Sequence, residues 1–248
     1  MKPEPMSDFF ALVLGDSRSL PTVTAKVSYL ETFPYLMRSW WRARAGCGEV
    51  TIWPGADGSL LIRDVLARYR KFRFYFGDTR LDVCLFMVGL VDCAPRPLSW
   101  GARDRLSRWP EPLKHLVIRG LHRARPWLLS RGWFFRFTEP PRFRGTLAEL
   151  LELLSKGFRR VYVLNIAPVA QRNYDRSPGL KESIIEYNAV LAEEAVRFSN
   201  LHFVDVWGDF VNGGVPLDAY LCDDDGMHFT AQGHRRLQEL IVQEELKQ

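Results

Sequence analysis

Five short apolar runs, each closed by turn-forming residues and separated by long stretches with helical spacing, limit the folds open to this chain. The runs are FFALVLG at 9–15, EVTIW at 49–53, LDVCLFMVG at 81–89, RVYVLNIA at 160–167 and LHFVDVW at 201–207. Runs this short and this continuously apolar read as strands buried on both faces. Residues 25–45, 59–72, 144–157 and 180–198 carry helical periodicity between them, and a last helix is expected near 230–246. Parallel strands need long crossovers, which helices supply, so the alternation predicts an α/β fold: a parallel sheet with helices on both faces. The 248 residues suffice to form it as one domain over 1–248, with no repeat or clear linker to divide it.

One stretch breaks the pattern. Residues 96–144 hold twelve Arg and Lys against three acidic side chains, interleaved with Trp and Phe, in a chain whose net formal charge is only +5. Within 111–125, Leu113, Leu116, Val117 and Leu121 follow helical spacing while Lys114, His115, Arg119, His122 and Arg123 occupy other faces. Pro126 and Gly132 are expected to break the stretch that follows, with its Trp127, Trp133, Phe134, Phe135 and Phe137. The segment reads as a basic aromatic insertion after the third strand. Three roles are open to it: packing on the body, a rim that holds an anionic ligand, or contact with an anionic membrane surface. Nucleic acid ranks last as a partner, because no recognition motif accompanies the charge.

Other features exclude rather than assign. The first apolar run, FFALVL, is six residues long, too short for a secretory leader or a membrane span, and a cytoplasmic location is expected. Cys47, Cys84, Cys93 and Cys222 show no CxxC or zinc-like spacing and read as reduced structural thiols. His115, His122, His202 and His234 have no partner at metal-ligand spacing and read as surface or structural residues.

Ligands of parallel α/β sheets bind at the carboxyl ends of the strands. The first run ends there in Asp16 and Ser17, and a helix starting next to Ser17 would favour negative charge on it. Alone, the pair is equally a turn or helix cap. The second run ends in Gly55 and Gly58, where glycine lets the backbone approach a ligand or simply turn. Ahead of the last helix lies CDDDGMHFTAQGH at 222–234, in which Asp225 and His228 are spaced so that a carboxylate can meet one imidazole nitrogen while the other faces across the site.

Taken in order, GDSRS at 15–19, GADGS at 55–59, GLVD at 89–92 and DGMH at 225–228 resemble the four motif blocks of the SGNH (GDSL) hydrolase family, spread over nearly the whole chain. APV at 167–169, IEYNAVLAEEA at 185–195 and FVDVWGDF at 203–210 agree with it. The resemblance implies a flavodoxin-like three-layer fold with five parallel strands in the order 2-1-3-4-5. It further implies Ser17 as nucleophile, His228 as general base, Asp225 as the group that orients the imidazole, and the backbone N–H groups of Ser17 and Gly58 as an oxyanion hole. On this resemblance no metal or other cofactor is needed, and Asp223 and Asp224 are left to cap the turn or meet solvent. The family carries Asn at the third block where this chain has Val91, and valine has no donor. Either two backbone donors suffice, or Asn165 or Arg96 supplies a third, or turnover has been lost; one missing donor costs about 10²–10³ in rate. Asp92, the next residue, could orient the loop or hold Arg96, and reads first as a local loop hydrogen bond.

The activity so implied is hydrolysis of a small acyl ester, most readily an O-acetyl group on a carbohydrate or related metabolite, through an acyl-enzyme. Two alternatives stand beside it: an O-acyltransferase of glycan or surface-polysaccharide synthesis using the same serine, and a non-catalytic protein binding a glycan or other anionic ligand on this fold.

Overall fold

The computed structural model describes residues 8–22, 26–44, 49–77 and 79–247. Its five strands are β1 (Phe9–Gly15), β2 (Val50–Pro54), β3 (Leu81–Met87), β4 (Phe158–Leu164) and β5 (Leu201–Val204). They form one sheet in the order β2-β1-β3-β4-β5, with every pairing parallel. Alternate side chains leave opposite faces, so Leu12 and Leu14 of β1 join one core while Phe9, Ala11 and Val13 join the other. Helices α2 (Ile62–Phe76), α6 (Pro140–Gly157) and α8 (Leu180–Ala195) cover the first face. Helices α1 (Phe33–Arg44) and α11 (Ala231–Leu246) cover the second. Their buried residues recur at helical spacing, for example Phe33, Met37 and Trp41 in α1 and Leu147, Leu150, Leu151 and Leu154 in α6.

Three local expectations need correction. The helix expected from residue 25 begins only at Phe33. Ser28 and Glu31 close a capping box around a single 3₁₀ turn, and Pro34 sits in the first turn of α1, where its missing N–H costs nothing. No α-helix begins at Ser17 either; the backbone makes one 3₁₀ turn over Ser17–Ser19, so no helix dipole acts on the serine. Finally, α5 (Glu111–Ser130) runs straight through Pro126, at the cost of one main-chain bond, and stops before Gly132, which lies at φ +78°.

Between β3 and α6 come the short helix α3 (Leu90–Cys93), then α4 (Trp100–Ser107) and α5. The chain leaves and re-enters the body beside itself, where Arg96 and Phe135 exchange two backbone hydrogen bonds of 2.9 and 2.8 Å. This clip closes a helical excursion over residues 97–134, within the basic segment foreseen at 96–144. Past β4 the order is α7 (Gln171–Arg176), α8, β5, α9 (Val206–Asn212), α10 (Leu217–Tyr220) and α11. No described helix is long and apolar enough to cross a membrane. Cys84, Cys93 and Cys222 are buried free thiols, and Cys47 lies outside the described residues.

Candidate active site

Gly15 ends β1 where no side chain fits: a Cβ would stand 2.7 Å from the Met87 carbonyl oxygen and 2.7 Å from Ser19 Oγ. The chain therefore passes tightly beside β3 and turns at Asp16, whose N–H donates to the Met87 carbonyl. The Asp16 carboxylate accepts from the Arg18 N–H at 3.0 Å and fixes the 3₁₀ turn. Ser17 is left half-buried at the carboxyl edge of the sheet.

The partner of Ser17 arrives from the far end of the sequence. Leu221 and Phe229 form an isolated bridge, and Cys222 N–H donates to the His228 carbonyl at 2.8 Å, so residues 222–228 make a closed loop. Thr230 then caps α11 by accepting from the Gly233 N–H. Inside the loop, Asp225 Oδ1 accepts from the Met227 N–H at 2.7 Å and the His228 N–H at 2.9 Å. Its other oxygen lies 2.6 Å from His228 Nδ1, and His228 Nε2 lies 2.9 Å from Ser17 Oγ. An ionised carboxylate only accepts, so Nδ1 carries the imidazole proton and Nε2 is left to accept from the serine hydroxyl. Partial burial works against ionisation of Asp225. The bonds from the backbone and ring of His228 and from Met227 N–H outweigh it and hold the carboxyl below its ordinary value. Asp223 and Asp224 are exposed to solvent.

Helix α7 braces this loop. Asn173 Nδ2 donates to the carbonyls of Asp225 and Gly226 at 2.8 and 3.1 Å, Ala170 N–H also donates to Gly226, and Arg172 donates to the Cys222 and Asp223 carbonyls. Gly226 is required there. Its φ is +65°, and a Cβ would meet Ala170 Cβ at 2.6 Å.

Ser17 and His228 open into a cleft of about 320 Å³, which Val91, Arg96, Ser59, Asn173, Arg125 and Arg176 also line. The proposed oxyanion donors fare unequally. Ser17 N–H has no acceptor among the described residues. Gly58 N–H is already taken: it donates to Asp57 Oδ1 at 2.7 Å, Arg68 holds that carboxylate from the other side, and Gly58 is not among the residues lining the cleft. The neighbouring Ser59, at φ +60°, reaches the cleft instead. Asn165 is also removed from the site. Its side chain donates to Asp205 at 2.7 Å and accepts from the Trp207 N–H at 2.9 Å, which spends it on joining β5 to α9. Arg96 does line the cleft, stacked over Phe137 with its carbon 4.2 Å from the ring centroid. Asp92 is fully buried, accepting from Thr138 and from the Ile62 N–H at the start of α2. Burial pushes its carboxyl up to about 7, against the pull of those two bonds and with help from the charges of Asp16 and Asp64.

Sequence reasoning missed Arg125, Arg176, Asn173 and Ser59. Only the composition of the basic segment hinted at the first. Nothing in QRNYDR at 171–176 announces that it would face a loop fifty residues on. No group of three or more His, Cys, Asp or Glu able to hold a metal occurs among the described residues.

A parallel sheet in this order, with a serine after β1 and an aspartate–histidine loop before the last helix, is the architecture of the SGNH ester hydrolases. The model of the GDSL-like lipase/acylhydrolase family matches residues 14–236. Among solved structures, the chain is similar to a lipase/acylhydrolase from Enterococcus faecalis, at 18% identity over 95% of this chain and 94% of that one, with a TM-score of 0.63. It is also similar to the acetylxylan esterase Axe2 from Geobacillus stearothermophilus, at 15% identity over 97% and 96%, with a TM-score of 0.62. Comparison with curated protein sequences gives no significant match. The chain belongs to the GDSL-like lipase/acylhydrolase family and is an ester hydrolase of the SGNH type.

Proposed function

We propose that the chain is a serine esterase that removes a small acyl group, in particular O-acetyl, from a carbohydrate or related metabolite. The hydrogen-bonded series Ser17–His228–Asp225 at the strand ends carries this reading. Ser17 Oγ attacks the ester carbonyl as its proton passes to His228 Nε2, and Asp225 stabilises the imidazolium that results. Collapse of the tetrahedral intermediate breaks the ester bond. The departing alkoxide takes the proton from His228, leaving an acyl-Ser17, which a water deprotonated by the same nitrogen then hydrolyses. The oxyanion is met by the Ser17 N–H and the positive charge of Arg96, while Val91 contributes no bond. Val91, Ala94 and Leu90 give that side of the cleft a short apolar wall suited to a small acyl group, and a structural neighbour named as an acetylxylan esterase supports the carbohydrate ester.

The test is intact mass after treatment with a fluorophosphonate. One adduct on the wild type and none on folded Ser17→Ala is expected. Well-folded wild type that takes no adduct, even from a smaller serine-reactive sulfonyl fluoride, sinks the proposal.

A further inference from the structure

The cleft's charges do not balance. Arg18, Arg96, Arg125 and Arg176 line it against one lining carboxylate, Asp16, which is bound to the backbone N–H and guanidinium of Arg18. Arg96, Arg125 and Arg176 have no carboxylate partner among the described residues. Arg125 spends one terminal nitrogen on the Pro95 carbonyl at 3.0 Å, and the Nε atoms of Arg96 and Arg125 are buried without an acceptor. The three arginines are also neighbours, since Arg125 feels the repulsion of Arg176, and Arg96 that of Arg125. Burying the Nε groups of Arg96 and Arg125 without an acceptor is costly, and these two cations and the exposed Arg176, lining one cleft, repel one another as well. An anion in the cleft would relieve both costs.

We infer that Arg96, Arg125 and Arg176 form a subsite for an oxyanion carried by the substrate. The substrate class is then an acyl ester of an anionic alcohol, such as an acylated acidic sugar or sugar phosphate, with its carboxylate or phosphate on the guanidinium forks. This rests on the esterase reading for the reaction but not for the binding. Guanidinium suits either group, since its planar donors pair two oxygens at once. Two of the three arginines belong to the segment clipped at Arg96 and Phe135, so the excursion after β3 gives the cleft its preference. Arg119, an exposed arginine of that segment, lines neither the cleft nor the neighbouring cavity between α4 and α5.

The subsite is tested by calorimetric titration of the intact protein with glucose 6-phosphate and with glucuronate, glucose serving as the neutral control and chloride holding ionic strength fixed. Hydrolysis of p-nitrophenyl acetate is followed in parallel. One or both anions should bind and inhibit competitively, while glucose does neither; which anion binds tighter tells phosphate from carboxylate. Losing one charge-assisted contact in Arg125→Gln should raise Kd about tenfold or more. Arg176→Gln should do the same, and because Arg176 is exposed its loss does not threaten the fold. Arg119→Gln, with the same change in charge, should leave Kd where it was. Equal weakness of both anions and glucose, or equal affinity in all three variants, overturns the subsite. Anion binding without any esterase activity instead overturns the esterase reading and leaves the subsite standing.

Discussion

Replacing Asp225 by Asn separates the work of the carboxylate in orienting His228 from its work in building the loop. Oδ1 accepts two backbone N–H groups, at 2.7 Å from Met227 and 2.9 Å from His228, and an amide nitrogen cannot take that place. The Asn carbonyl must therefore occupy the Oδ1 position, which puts its NH₂ where Oδ2 stood, 2.6 Å from His228 Nδ1. Nδ1 must then accept, the ring proton moves to Nε2, and Nε2 donates to Ser17 Oγ instead of accepting its proton. The general base is lost while every main-chain bond of the loop survives. A wrong tautomer of this kind lowers kcat by about 10⁴, or roughly 5.5 kcal/mol of barrier. The assay is the initial rate on p-nitrophenyl acetate beside a thermal unfolding curve. A small drop in unfolding temperature is expected at neutral pH, because the fold favours the ionised carboxyl and the amide has no charge. Asp225→Ala, which also strips both loop bonds, should be clearly less stable than Asp225→Asn. An Asn variant that keeps more than about a tenth of the activity would show that Asp225 does not set the tautomer and would refute the reasoning.

The oxyanion hole, the buried carboxylate and the loop glycine give three further expectations. Val91→Asn restores a side-chain donor on the cleft wall and should raise kcat by about tenfold or more with little change in KM; no gain would mean that the oxyanion does not form beside residue 91. Burial pushes the Asp92 carboxyl up to about 7 in the fold, from an ordinary value of 3.8, so its contribution to stability falls as pH rises from about 4 to 7 and levels off above. Asp92→Asn removes that loss, and its stability relative to the wild type should climb between pH 5 and 8 by on the order of 3 kcal/mol. Comparing the two proteins at each pH cancels His234, whose depressed value of about 4 acts in the opposite sense; a flat or falling difference in denaturant midpoint counts against the shift. Gly226→Ala forces a Cβ against Ala170 at φ +65° and should cost about 1–3 kcal/mol, with His228 displaced and activity lost together, as chemical unfolding and rates will show.

The sheet was written in the sequence because its strands are buried on both faces, which leaves continuous apolar runs, and because parallel pairing demands the helices between them. The strand order came from the motif blocks. So did the grouping of Ser17 with Asp225 and His228, two hundred residues apart, and their hydrogen bonds agree with it. What failed was what depends on a neighbour distant in the chain or on one rotamer. Gly58 carried the right residue type, yet Asp57 folds back onto its N–H under the hold of Arg68. Asn165 carried the right amide, yet Asp205 and Trp207 use it up. The basic segment announced its charge without its address. Only tertiary packing, through the clip between Arg96 and Phe135, brought Arg96 and Arg125 to the serine, where Arg176 joined them from another helix. Periodicity reports what each residue buries, because burial is set by the local element. It cannot report which charges share one cavity, since that is settled by how separate elements pack.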